Sequence, residues 1–363
     1  MDIHPSSRHD NDHRDIRLIS ILPTALEICC SHKEFLPSTD FRQSHHHGDP
    51  TRRYLDTHFR LLRHDVFGPW KEVIRGLTVS KESTWSQQND SNATAYLYQN
   101  ATISRLNVGD REGLEANISF ALPANLSRVA PCKRRKWWVN SKRLEKGVLV
   151  CFIHSVGEQK VPLLLTVTEK LIDLSDTPGP RSHRAVIIAK LATPGSHDLQ
   201  LLLRIHQRMI RGAIIEVPGL IPATFKPILE NIQNMISWPA LPFQEWVVPY
   251  FRGIGRDHTP MPPPLYARKH GFSFPLNSIV RHGGSFPPLS PTASPDDMEL
   301  INMLEVRTGL DCGQCQGLVA GLTRELALIQ GPPGTGKTFL GVKLIRVLLS
   351  CKTKASLGPI IIA

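Results

Sequence analysis

One stretch near the carboxyl end of the chain carries residues whose types and spacing suit chemistry on phosphates. In Leu326-Ala-Leu-Ile-Gln-Gly-Pro-Pro-Gly-Thr-Gly-Lys-Thr-Phe-Leu340, the residues Gly331, Gly336, Lys337 and Thr338 satisfy the pattern G-x-x-x-x-G-K-[ST]. Gly331, Gly334 and Gly336 would let backbone amides turn inward around phosphate oxygens, with Pro332, Pro333 and Thr335 completing the loop. An apolar strand candidate precedes the loop. A helix candidate follows it through Leu340, Val342, Leu344, Ile345, Leu348 and Leu349. The strand would deliver the loop to a sheet edge, and the helix N-terminus would add a field that favours anions. Lys337 is then expected to reach the β and γ phosphates as the catalytic cation, while the Thr338 hydroxyl holds Mg²⁺.

Other residues with chemical potential read less sharply. In Cys132-Lys-Arg-Arg-Lys-Trp-Trp138, four cations (Lys133, Arg134, Arg135, Lys136) precede two indoles, Trp137 and Trp138. That composition suits a surface that neutralises phosphates and stacks bases. It equally suits a nuclear-import run, or a solvated edge whose tryptophans turn inward. The three histidines of Ser44-His-His-His47-Gly48-Asp49-Pro50 are metal-ligand types. Consecutive residues cannot all face one ion from a helix or strand, and Gly-Asp-Pro is turn chemistry, so a solvated loop is expected. Cys312-Gly-Gln-Cys315 supplies two of the four ligands a zinc site needs, with no second pair. Seven scattered cysteines argue against a disulfide framework and for a reducing compartment, which excludes secretion. The N-x-[ST] matches at Asn89, Asn92, Asn100, Asn117 and Asn125 are then chance matches.

These residues must be positioned by a chain of 363 residues, long enough for two or three domains. A hydrophobic fraction of 41% with 21% charged is enough to build cores. The 43 Lys+Arg against 32 Asp+Glu leave a net charge of +11, which favours a polyanionic partner, nucleic acid before membrane. No apolar run approaches ~18 residues, so no transmembrane helix is expected. The polar start, Met1 to Arg14, is not a secretory signal.

Residues 1–92 read as an N-terminal helical region. Its clearest helix is Tyr54–Ile74, where Leu55, Phe59, Leu62, Val66, Trp70 and Val73 form one apolar stripe. Pro69 is expected to kink or divide it. Arg60, Arg63 and Lys71 fall largely off the stripe and are expected on a solvated face, with an RNA-facing surface as the alternative. Residues 93–236 read as a β-rich accessory domain, a small barrel or curled sheet. Its short runs are Ala101–Leu106, Ala116–Ala121, Gly147–Ile153, Leu163–Thr168, Ala185–Ala189 and Gly212–Val217, with breaks such as Thr177-Pro-Gly-Pro180. Residues 237–300 read as a proline-rich connector, and 301–363 as the start of a P-loop domain. Gly358–Ile362 predicts the next buried parallel strand. A lone βαβ unit has no sheet neighbours, so the chain is expected to stop inside a domain. The expected fold class is multi-domain α+β followed by the start of an α/β domain.

Two sets of residues carry a family resemblance. Leu310-Asp-Cys-Gly-Gln314, seventeen residues before the loop that ends at Thr338, resembles the Q motif that precedes motif I in superfamily 1 helicases related to the nonsense-mediated-decay helicase. That group usually has Asn-x-Ser where this chain has Asp-Cys-Gly. Tyr54-Leu-Asp-Thr-His-Phe-Arg-Leu-Leu-Arg63 with Gly68-Pro69, Ser141–Leu144 with Gly147–Cys151, and Gly271–Phe274 are similar to the region before the helicase core of NF-X-type zinc-finger helicases. The resemblance runs from about residue 15 to the end. It implies that Gln314 reads the adenine of ATP, that the P-loop opens a RecA-like domain, and that the partner is single-stranded RNA. It also implies a role in small-RNA silencing, heterochromatin formation or antiviral defence, in the nucleus or in cytoplasmic ribonucleoprotein granules. An RNA-directed RNA polymerase or a silencing complex would be a partner, and no membrane is implied. Walker B carboxylates, motif III, a second RecA-like domain and a Cys/His zinc-finger array are not found in these residues. Two readings follow: the N-terminal portion of an ATP-dependent RNA helicase, or a catalytically inactive RNA- or partner-binding fragment. A generic P-loop ATPase with no nucleic-acid role is the third.

Overall fold

Gly147-Val-Leu-Val-Cys-Phe-Ile153 is apolar at nearly every position, which a strand requires only when both of its faces are covered. The computed structural model supplies both covers. It describes residues 9–79, 95–109, 113–122, 129–156, 159–171, 184–193, 195–248 and 261–361; Asn89, Asn92, Asn125 and the 177–180 connection lie outside these. The chain divides into two compact units, Met1–Leu241 and Pro242–Ala363.

In the first unit six strands close a barrel: β1 (Tyr96–Gly109), β2 (Gly113–Ala121), β3 (Leu149–Val156), β4 (Gln159–Leu171), β5 (Arg184–Leu191) and β6 (Gly212–Glu216). Their order is β1-β2-β5-β4-β3-β6, and β6 closes the ring against β1. All six pairings are antiparallel. Closure leaves no unpaired edge, and bulges in β1 and β4 help the sheet curl. Side chains alternate between the two faces. Val150 and Phe152 of β3 join Ile118, Phe120, Ile187 and Ile214 in the inner core. Leu149, Cys151 and Ile153 join a second core with Phe59, Phe67, Trp70 and Ile74 of α2 (Pro50–Val79) and with Phe225 and Leu229 of α5 (Pro222–Met235). Two further helices supply the inner core, α3 (Pro131–Asn140) through Trp138 and α4 (Ser196–Gln207) through Leu202 and Ile205.

Three local expectations change here. Pro69 does not divide α2, which runs unbroken from Pro50 to Val79. Phe67 before it and Trp70 and Ile74 after it are buried in the same core, which holds both sides of the missing amide in line. The α2 cations Arg60, Arg63 and Lys71 are not on a solvated face either. Arg63 donates to both Glu27 oxygens at 2.8 and 2.7 Å, and Lys71 donates to Glu27 at 2.8 Å and pairs with Glu34. Arg60 donates to Asp56 at 3.0 Å. Glu27 belongs to α1 (Ala25–Cys29), capped by the Thr24 hydroxyl, so the N-terminal segment lies over this face and neutralises it. The His45–His47 loop is likewise not solvated, since the His45 and His46 side chains are only 1% exposed.

The second unit contains α6 (Gln244–Val247), α7 (Met298–Thr308), α8 (Cys312–Thr323) and α9 (Lys337–Ala355). Within the stretch read as a connector, Phe274, Leu276, Ile279, Phe286 and Leu289 share one core with Leu318, Leu322, Leu340 and Val347. Proline breaks regular structure but does not prevent burial of the apolar residues between prolines. Residues 326–330 and 358–361, expected as parallel strands, lie in no hydrogen-bonded ladder, and Leu328 is 89% exposed. A strand is defined by a neighbour, and no described segment of this unit supplies one. No described helix is long and apolar enough to cross a membrane.

Candidate functional site

The loop between α8 and α9 is shaped by its glycines. Gly334 and Gly336 have φ of 85° and 74°, a left-handed conformation that costs other L-residues roughly 1–2 kcal/mol. A Cβ on Gly331 would lie 2.6 Å from the Thr335 hydroxyl, and one on Gly336 would lie 2.5 Å from Nε2 of Gln314. The loop closes on itself where the Thr335 hydroxyl donates to the Pro332 carbonyl at 2.8 Å. Gly336 is the N-cap of α9 and offers no side-chain acceptor. The first free helical bond runs from the Leu340 amide to the Gly336 carbonyl, so the amides of Lys337, Thr338 and Phe339 have no acceptor within the helix.

Lys337 is exposed, and its ammonium donates to the carbonyls of Gly331 and Pro332 at 2.6 and 2.8 Å. Thr338, Pro332, Pro333 and Thr335 are exposed as well. Gln314 is brought to this loop by a local device. Asp311 caps α8 by accepting from the Gln314 amide at 2.8 Å, and the Gln314 carbonyl oxygen accepts from the Asp311 amide at 3.1 Å. The same side chain then donates through Nε2 to the Thr335 carbonyl at 3.2 Å. Its amide keeps a second N–H and a second lone pair.

Two residues that the sequence reading passed over set the spacing of this site. A Cβ on Gly317 would lie 2.9 Å from Leu340, and one on Gly321 would lie 3.1 Å from Leu344, so α8 meets α9 through small residues. The four-residue spacing of these glycines on one helix face was the available signal. Cys315 is buried in the core, and burial pushes its thiol up to about 11, the reverse of a reactive or metal-binding cysteine.

The cationic run 133–138 forms α3, and the structure splits it. Lys133, Arg135 and Lys136 are exposed, whereas Arg134 is 5% exposed. Trp138 is fully buried, donates through Nε1 to the Leu171 carbonyl at 3.2 Å, and has the Lys170 ammonium 4.5 Å from its ring centre. It has no open face for a base. Trp137 is half-buried, with the Arg143 guanidinium 5.3 Å from its ring centre. Helical periodicity explains the split, because only one side of α3 faces the barrel interior.

No family model matches the chain. It is 27% identical over 345 residues to the NFX1-type zinc finger-containing protein 1 of Mus musculus, covering 93% of this chain and 16% of that protein. The Homo sapiens protein of that name is likewise 27% identical, over 347 residues, with the same coverage. The Helicase required for RNAi-mediated heterochromatin assembly 1 of Schizosaccharomyces pombe is 24% identical over 367 residues, covering 99% of this chain and 30% of that protein. The chain thus spans less than a third of the length of these relatives, and the likeness extends over both of its units.

Proposed function

We propose that this chain is the N-terminal portion of an ATP-dependent RNA helicase, with Gly331–Thr338 as the seat of the ATP phosphates in the start of a RecA-like domain. One observation carries the reading: an exposed loop with two left-handed glycines and a helix N-terminus is tied by a hydrogen bond to the Gln314 side chain. The donor set suits a polyphosphate. Three amides at the start of α9 and one lysine face an exposed loop whose glycines leave no Cβ in the way. When bound, ATP with Mg²⁺ supplies a transferable phosphoryl group. Lys337 would turn from the Gly331 and Pro332 carbonyls to phosphate oxygens, the Thr338 hydroxyl would ligate Mg²⁺, and Gln314 would use its remaining amide hydrogen and lone pair on adenine.

The low-identity likeness to a helicase and to NFX1-type proteins supports this reading at a coarse level. By its name, the fission-yeast relative is required for RNAi-mediated heterochromatin assembly. We therefore place the proposed work of this chain in RNA silencing, in the nucleus, with single-stranded RNA and a silencing complex as partners. Lys133, Arg135 and Lys136 are the candidate phosphate contacts on the barrel unit. The catalytically inactive, RNA-binding reading rests on those three residues alone. Competition binding with ATP and GTP tests the nucleotide assignment. The chain should prefer ATP, and Gln314→Ala should erase that preference while leaving triphosphate binding in place. Equal preference in both proteins would refute the role of Gln314.

A further inference from the structure

Three consecutive imidazoles meet one carboxylate beside α2. Nε2 of His45, His46 and His47 stand 3.2, 3.6 and 3.8 Å from the oxygens of Asp56. The rings touch one another, with centroids 4.4 Å apart for His45 and His46 and 4.2 Å apart for His46 and His47. The Asp56 side chain is fully buried and that of His47 is 20% exposed. Neighbouring histidines can converge here because residues 41–49 are neither helix nor strand. The segment is also strapped down: Arg14 donates to the His46 carbonyl at 2.7 Å, and Arg53 donates to the Asp40 and Phe41 carbonyls at 3.0 Å.

Hydrogen bonding accounts for only part of this convergence. Both Asp56 oxygens already accept from Nε of Arg60 at 3.0 Å. The buried Nε2 of His47 makes no hydrogen bond, although it stands 3.8 Å from the carboxylate. Leaving such a nitrogen without a partner inside a protein costs about 1–3 kcal/mol. The separations suit a different bond. Around a tetrahedral zinc ion with ligand distances of about 2.0–2.1 Å, neighbouring ligand atoms lie roughly 3.3–3.4 Å apart. Among the described residues, His45, His46 and Asp56 are the group whose potential ligand atoms all lie within 4.8 Å of one another.

We propose that His45, His46 and Asp56 form a structural Zn²⁺ site that fastens the 36–49 segment to α2, with Nε2 of His47 beside it 3.8 Å from Asp56. Imidazole and carboxylate ligands suit a borderline divalent ion, and side chains exposed by 1% or less keep these three ligands out of solvent. Arg60 sits where an outer partner of a ligating carboxylate belongs, fixing the orientation of Asp56. Loading has a defined proton balance. His45 Nδ1 accepts from the His47 amide at 3.0 Å, so neutral His45 carries its proton on Nε2. When Nε2 binds the ion, that proton moves to Nδ1, and the His47 amide gives up this acceptor.

The test is metal content of the whole chain after chelation, reloading with Zn²⁺ and exhaustive buffer exchange. A single retained equivalent is expected. A His45→Gln/His46→Gln variant should lose it, and a Cys312→Ser/Cys315→Ser variant should keep it. Because the histidine variant could lose the loop altogether, Co²⁺ loading of the unaltered chain gives a second readout. Visible bands of a tetrahedral nitrogen and oxygen site, without a near-ultraviolet thiolate band, are expected. Zinc failing to remain, zinc lost only from the cysteine variant, or a thiolate band on Co²⁺ would overturn the proposal.

Discussion

In the first unit the cations of α2 are consumed inside the protein, Arg63 and Lys71 on Glu27 and Arg60 on Asp56. In the second unit Lys337 is exposed and rests on two carbonyls of its own loop. Both settings began as polar residues on or beside a helix, and the difference lies in the partner. A buried cation on a carboxylate is committed, because removing either member leaves a charge in low dielectric. An exposed cation on neutral carbonyls is transferable, because phosphate oxygens form the stronger charge-assisted bond. The same contrast runs within α3, where Arg134 is buried while Lys133, Arg135 and Lys136 remain in solvent.

Breaking a committed pair should give the largest effect. Arg63→Ala should lower stability by about 3–5 kcal/mol, read as a fall in the urea midpoint, because Glu27 then keeps less than its full countercharge. Nucleotide affinity of the remaining folded protein should not change. A stable Arg63→Ala variant would mean that this pair is not a commitment at all.

Acid acts on the same centre. Burial alone would raise the Glu27 pKa, but Arg63 and then Lys71 and Asn11 hold it well below the usual carboxylate range. A lowered folded pKa means stability that is fully present above the unfolded value, about 4.3, and is lost as pH falls through the folded one. Thermal midpoints should therefore be insensitive to this group between pH 5 and 7 and drop below about pH 4. Glu27→Gln should be less stable at neutral pH and show a shallower acid decline. Parallel pH profiles for the two proteins would contradict the assignment.

Gly336→Ala should cost about 1–2 kcal/mol of stability through its left-handed backbone, with the added Cβ pressing on Gln314. Its effect on nucleotide binding should exceed that on stability, and the reverse ranking would weaken the case for a phosphate loop. The smallest change in stability is expected from Lys133→Ala/Arg135→Ala/Lys136→Ala, all solvent-exposed. If these residues contact RNA, the log–log salt dependence of single-strand binding should become less steep by about 2. An unchanged slope would leave α3 a solvated helix.

What could be read from the sequence follows the range of the interactions. The runs that became β3 and β6 were visible because strands covered on both faces are apolar almost throughout. Gln314 was named from the sequence through the family resemblance alone, and its capping box with Asp311 came only with the structure. The fate of Arg63 was hidden because its carboxylate lies 36 residues away in α1. Trp138 was ambiguous because a cationic run gives no sign of which helical side meets the barrel. The histidine segment was misread for a similar reason: rules for helices and strands say nothing about a loop pinned by Arg14 and Arg53.

The central claim is that Gly331–Thr338 seats a nucleoside triphosphate. Calorimetric titration of ATP with Mg²⁺ into the chain and into Lys337→Ala tests it most directly. Saturable one-site binding is expected, weakened at least about tenfold, ~1.4 kcal/mol, in Lys337→Ala with an unchanged unfolding midpoint. Equal affinity in the two proteins, or no saturable binding to the unaltered chain, would contradict it.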